Sequence, residues 1–197
     1  MKRLFSLSAA LAVAGLSGCI APTGPVEVTR FHAPDISALG KGTIAIEAAP
    51  GNDPASLEWR AYQSAVARQL VLLGYTQAPA GSGSQVALVR LSRQTYRPER
   101  SGSPVSVGIG GSTGSYGSGV GLGVGLNLAG RPKDQIDTDL GVLIKDRASQ
   151  SSLWEGRASF TVTAGSPLAD TSLGAAKIAE ALFAGFPGEP GETIAVQ

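Results

Sequence analysis

The run IDTDLGVLIKDRASQSSLWEGRASFTV, residues 136–162, alternates apolar and polar residues twice. In its first half Ile136, Thr138, Leu140, Val142 and Ile144 alternate with Asp137, Asp139, Gly141, Leu143 and Lys145. In its second half Trp154, Gly156, Ala158, Phe160 and Val162 alternate with Glu155, Arg157, Ser159 and Thr161. Successive side chains of a strand point to opposite faces, so a period of two marks a strand with one buried face. Asp146 to Ser152 is polar and reads as the loop between them. The spacing predicts an antiparallel hairpin with one side on a core and one side wet. Trp154 shares a face with Gly156 two residues on, so its ring is expected over the space the glycine leaves.

Outward from this hairpin, Gln85 to Tyr96 reads as a strand. Val86, Ala87, Leu88, Val89 and Leu91 make its first half continuously apolar, and both faces are expected to be covered there; Arg90, Arg93 and Arg97 bring its far end to water. Thr43-Ile44-Ala45-Ile46-Glu47 is a short β-branched strand. Val26 to Phe31 reads as the first strand, ahead of His32 and of Ala33-Pro34, which breaks regular structure. Asn52-Asp53-Pro54 predicts a helix start, with Asp53 as cap and Pro54 at the first helical position. Trp59, Tyr62, Val66, Leu70 and Leu73 recur at helical spacing and form one apolar stripe. Gly74 is placed to end that helix in a left-handed conformation. Asp170 or Thr171 caps a last helix, with Ala175, Ile178, Ala179 and Leu182 facing inward, Phe183 close by, and Gly185 and Pro187 ending it. Gly188 to Gln197 is expected to be a flexible tail. The fold class expected is α+β: a mainly antiparallel sheet with two helices packed on one face, in a single domain over residues 26–187.

The start of the chain has a different character. Lys2 and Arg3 precede an apolar run from Leu4 to Leu16, then Ser17, Gly18 and Cys19, the only cysteine. The run is short of the ~20 residues a helix needs to cross hydrocarbon. A basic start, a short apolar core and small residues before a cut mark a secretory signal. Leu16-Ser17-Gly18-Cys19 resembles the lipobox of bacterial lipoproteins. The resemblance implies a signal peptide over 1–18, a diacylglyceryl thioether on Cys19, cleavage before it and acylation of the freed amine. Two or more acyl chains hold a protein firmly on a bilayer. Residues 19–25 then form a lipidated tether. By the same resemblance Ile20, in the place where enteric bacteria use Asp for inner-membrane retention, points to the inner leaflet of the outer membrane, facing the periplasm.

Removing residues 1–18 removes Lys2 and Arg3 and no acid, so 16 basic and 15 acidic residues become 14 and 15. The mature chain is near neutral, with no basic run or aromatic–basic interleaving, and nucleic acid is not an expected partner. With Cys19 carrying lipid, no thiol remains for a disulfide, and a core must hold the domain together.

Residues 101–130 carry eleven glycines: Gly102, Gly108, Gly110, Gly111, Gly114, Gly117, Gly119, Gly121, Gly123, Gly125 and Gly130. Val105, Val107 and Ile109, then Val120, Leu122, Val124, Leu126 and Leu128, alternate with small residues. The segment reads either as a disordered insertion or as a long β-hairpin turning within Ser112–Ser118, with one bare glycine face. Bare glycine ridges admit another backbone closely, so the hairpin would meet an envelope protein partner, another copy of the chain or the lipid surface. Neither a Gly-Lys-Ser/Thr ending nor a Gly-x-Gly-x-x-Gly spacing is present, which argues against a phosphate cradle.

No catalytic constellation emerges. His32 is the only histidine and reads as a surface residue in a loop, two positions before Pro34. One histidine and one lipidated cysteine do not make a zinc site. Asp134, Asp137 and Asp139 lack the glycine and distal glutamate of a calcium loop and read as solvated carboxylates. Glu155 and Arg157 read as a weak surface pair, and Trp59 and Tyr62 as core. No cofactor, metal or catalytic residue is assigned.

Three features occur in order: the lipobox, the helix end Gln69-Leu70-Val71-Leu72-Leu73-Gly74-Tyr75, and a closing block. That block comprises Leu153-Trp154-Glu155-Gly156-Arg157-Ala158, a helix, and Ala181-Leu182-Phe183-Ala184-Gly185-Phe186-Pro187. Together, over most of residues 26–187, they resemble the bacterial lipoprotein family DUF4136, whose members share a Leu-x-x-x-Gly-Tyr helix end, a Trp-x-Gly strand and a Phe-Pro close. The resemblance implies an envelope lipoprotein and carries over no catalytic residue. The function expected is that of a membrane-anchored, non-enzymatic interaction or assembly module. The rivals are an accessory lipoprotein binding a small apolar ligand or lipid between sheet and helices, and an envelope hydrolase.

Overall fold

The computed structural model describes residues 24–99, 105–114, 117–126 and 132–197, with side chains in 24–99 and 132–197. The expected signal peptide, Cys19 and the start of the expected tether lie outside the described residues, as do the side chains of the glycine-rich segment. In chain order the elements are β1 (Val26–His32), β2 (Thr43–Ala48), α1 (Leu57–Leu72), β3 (Thr76–Ala78), β4 (Gln85–Tyr96), β5 (Val105–Gly114), β6 (Gly117–Leu126), β7 (Gln135–Asp146), β8 (Ser152–Thr163), α2 (Thr171–Phe183) and β9 (Thr193–Val196). Seven strands form one sheet in the order β3-β2-β4-β7-β8-β1-β9. The backbones of β5 and β6 pair antiparallel in a separate ladder, Val105 opposite Leu126.

The β7–β8 hairpin forms with the expected face inward. Thr138, Leu140, Val142 and Ile144 are buried, as are Trp154, Gly156, Ala158, Phe160 and Val162. Register carries this face across the sheet: Leu91, Leu140, Ala158 and Val28 stand in one row. Both helices cover it. Arg93, on the inward face of β4, reaches Glu58 of α1 at 2.8 Å and Thr171 of α2 at 3.2 Å. Trp59, Tyr62, Val66 and Leu70 of α1 and Ile178, Ala179 and Leu182 of α2 fill the layer between. Each fully buried aliphatic side chain there stabilises by about 1.5–3 kcal/mol.

The sheet is mostly antiparallel, but β2 pairs parallel with both β3 and β4. The crossover through α1 makes this possible, since parallel neighbours need a connection long enough to return. Two local expectations are also corrected. Helix α1 starts at Leu57, not at Pro54: Ser56 is the cap, its hydroxyl accepting the Trp59 N–H at 3.3 Å. Asp53 instead closes the preceding turn by accepting the Ala55 N–H at 2.8 Å. The expected tail at 188–197 supplies β9, which pairs antiparallel along Val26–Thr29 of β1. A four-residue strand has little signal of its own, and β1 provides the ladder that fixes it.

The closing motif packs as one unit. A Cβ on Gly156 would lie 2.2 Å from Cη2 of Trp154, so the ring does sit over the glycine. The Trp154 ring stacks on Phe183 at 5.3 Å and lies 5.2 Å from Phe186. Its indole N–H donates to the Pro187 carbonyl at 2.9 Å. Beside it the buried Arg30 donates through Nε to the Leu182 carbonyl at 3.1 Å and through Nη2 to the Ala181 carbonyl at 3.2 Å. The Ala181 carbonyl also accepts the Ala184 N–H at 3.3 Å, and Arg30 adds a charged donor to the carbonyl end of α2.

Candidate functional site

The sheet face without helices carries a trough of about 480 Å3. Five strands build it from the outward halves of their alternation. Register places Arg90, Gly141, Arg157, Thr29 and Thr193 in one row across the sheet. On one side runs the row Ser92, Asp139, Ser159 and Glu27; on the other, Leu88, Leu143 and Glu155.

Gly141 forms the floor. Its φ is not positive, and a Cβ there would meet only Cβ of Arg90, at an ordinary 3.6 Å. Neither backbone conformation nor packing therefore demands glycine, which costs a strand about 0.5–1 kcal/mol relative to alanine. What its absent side chain leaves is open space between Arg90 and Arg157, its register neighbours on either side. Arg157 is held by Glu155 through bonds of 2.9 and 2.7 Å. Partial burial, then the nearby Asp137 charge, push the Asp139 carboxyl above its ordinary range. Glu47 and Arg147 join at 2.6 Å towards the end of the face where the β3–β4 and β7–β8 loops lie. The Arg147 hydrogen bond, with the Gly81 N–H, holds the Glu47 carboxyl below its usual range. Chemically the trough offers cations and carboxylates in adjacent rows beside two leucines, a surface suited to binding.

The candidate residues from the sequence do not converge. Cys19 lies outside the described residues. His32 ends β1 rather than sitting in a loop, and its Nδ1 lies 2.7 Å from the Ala33 carbonyl oxygen. Asp134 pairs with Arg97 at 2.6 and 2.9 Å, which lowers the carboxyl and raises the guanidinium. Asp137 accepts the Thr161 hydroxyl at 2.9 Å, while Asp139 faces the trough. Among the described residues no group of three His, Cys, Asp or Glu side chains gathers to hold a metal ion. Trp59 and Tyr62 are core, and Glu155 pairs with Arg157 as expected. Sequence reading missed Arg90 and Gly141 as a pair; the one signal was a glycine at an outward position of a regular alternation.

An uncharacterized protein from Zymomonas mobilis is 26% identical over 220 aligned positions, covering 89% of this chain and 81% of that protein. A PDZ domain protein from Parabacteroides distasonis superposes on 88% of the chain with a TM-score of 0.47 and 11% identity; the match spans 39% of that longer chain. A PelC dodecamer from Paraburkholderia phytofirmans superposes on 80% of this chain and 96% of its own, with a TM-score of 0.40 and 13% identity. A family model matches residues 38–188, from the turn before β2 to just past Pro187. The chain belongs to the family described as a domain of unknown function, DUF4136.

Proposed function

We propose that this protein is a lipoprotein of the cell envelope, held by acylated Cys19 on the inner leaflet of the outer membrane. In this reading it works in the periplasm as a non-enzymatic interaction module. The observation that carries the reading is the spacing between Leu16-Ser17-Gly18-Cys19 and the first strand. The domain begins at Val26, so a short Pro/Gly-bearing tether joins an acylation signal to a folded body. No helix of the described residues is long and apolar enough to cross a membrane.

Two features favour an interaction module over the rival readings. The layer between helices and sheet is filled by Trp59, Trp154 and Phe160, all nearly inaccessible, where a lipid binder would need room. The trough on the other face is lined by Arg90, Arg157, Asp139 and Glu155, a surface for docking a partner. The glycine-rich segment is a second docking element, able to meet a partner or another copy.

Cys19→Ser tests the anchor. Labelled palmitate should enter the parent protein and not the variant, and the variant should leave the membrane fraction. Membrane retention of the parent without labelled lipid would overturn the reading. Crosslinking in cells from positions 90 and 157, then identification of the products, tests the docking face. Identical product patterns from these positions and from the exposed helix position Arg68 would remove it from consideration.

A further inference from the structure

Exposed apolar side chains at one end of the domain are placed to meet lipid. Strand β1 runs antiparallel to β8, β8 to β7, and β7 to β4. The start of β1 therefore lies at the end of the sheet where β4 finishes. Both helices begin at that end. Asn52, just before α1, donates to the Leu91 carbonyl at 2.8 Å, and Arg93 joins Glu58 of α1 to Thr171 and the Ala169 carbonyl at the start of α2. Leu57 is the residue before Glu58 and Leu173 lies two beyond Thr171. They are 80% and 51% exposed, and Tyr96, at the tip of β4, is 47% exposed. Arg93 thus brackets two leucines that gain nothing from the fold by pointing outward.

The chain outside the described domain says what covers them. Seven residue steps separate Cys19 from Val26, a span of at most about 25 Å when extended. From β1 to β4 is three inter-strand spacings, about 14 Å. An acyl anchor at Cys19 therefore keeps this end close to the bilayer. We infer that Leu57 and Leu173 enter the headgroup–acyl boundary of the anchoring membrane and fix the domain upright on it, with β3 and the β7–β8 turn facing away. The inference rests on the lipoprotein reading and adds an orientation to it.

The test uses the full-length protein reconstituted into phosphatidylethanolamine–phosphatidylglycerol vesicles containing brominated lipid. Leu57→Cys, Leu173→Cys, Ile36→Cys and Leu72→Cys each add one thiol at an exposed site, the last two far from the start of β1, for a quenchable fluorophore. Labels at 57 and 173 should be quenched at least twofold more than labels at 36 and 72. Equal quenching at all four sites, or stronger quenching at 36 and 72, would overturn the orientation while the anchor stands. The parent protein provides the separation: it should float with the vesicles and take no thiol label. A labelled, non-floating parent would show Cys19 unacylated and would overturn the anchor and the orientation together.

Discussion

Adding one methyl group at Gly156 should unsettle the whole closing motif. The new Cβ would stand 2.2 Å from Cη2 and 2.8 Å from Cζ2 of Trp154, and 2.8 Å from Cδ1 of Leu182. Carbon atoms settle at about 3.5–4 Å, so the indole must shift by more than about 1 Å. It has nowhere to go: Phe183 stacks on it at 5.3 Å, Phe186 lies 5.2 Å away, and the Pro187 carbonyl holds its N–H at 2.9 Å. Overpacking of this kind costs about 1–3 kcal/mol, and losing the buried hydrogen bond adds about 1 kcal/mol. The entropy that alanine saves in the unfolded chain returns about 0.5–1 kcal/mol. The expected net loss for Gly156→Ala is about 1–3.5 kcal/mol, a drop in Tm of roughly 2–14 °C for a domain of this size. Urea unfolding followed by tryptophan fluorescence measures it. Gly141→Ala, on the neighbouring strand but facing the open trough, should be neutral or slightly stabilising. Phenylalanine lacks the indole atoms that clash, so Trp154→Phe should cost less in the Gly156→Ala background than alone, giving a coupling of about 1 kcal/mol or more. A Gly156→Ala protein within about 0.5 kcal/mol of the parent, with no coupling to position 154, would refute the packing argument.

Arg30→Met should destabilise by about 2–4 kcal/mol in the same assay, because two α2 carbonyls lose their charged donor, and Arg30→Lys should recover only part of it. Ser56→Ala should cost about 1 kcal/mol by thermal melt while Asp53→Ala costs less, since Ser56 caps α1. The Asp139 carboxyl is raised in the fold, so its contribution is fully present below the unfolded carboxylate range and is lost as pH rises through its folded value. Asp139→Asn should therefore raise Tm at pH 7 and lose that advantage near pH 3, below the unfolded aspartate value of about 3.9. Glu47 shifts the other way: its stabilisation is present above the unfolded glutamate range and is lost as pH falls through its lowered folded value. Tm compared at pH 7 and pH 3 should then show Glu47→Gln less sensitive to acid than the parent.

The legible parts of this fold are those whose period is long enough to read. Twelve residues in each of β7 and β8 give repeated alternation, and α1 carries several stripe residues at helical spacing. Strands β3 and β9, of three and four residues, exist because β2 and β1 present open ladders to them. Their own residues carry no such pattern. The parallel pairing of β2 with β4 was half visible: Ile44, Ala45 and Ile46 are buried in succession, as Val86 and Ala87 are, and continuous burial is the parallel signature. The run in β2 was too short to separate that from a buried edge. Of the trough, only the outward glycine at 141 left a trace in the sequence. Arg90, Gly141, Arg157 and Asp139 meet only through register across three strands, and register depends on the finished sheet.

Strand β1 lies between β8 and β9, both drawn from the last third of the sequence. Glu27 faces Ser159, 132 positions later. Closing a loop of that length costs about 4 kcal/mol in chain entropy before any contact repays it. A chain synthesised from its N-terminus thus holds its first strand without a partner until β8 has been made. Completion of the sheet is a late event, set by topology, and the growing chain stays open enough to be threaded or handed on before it locks.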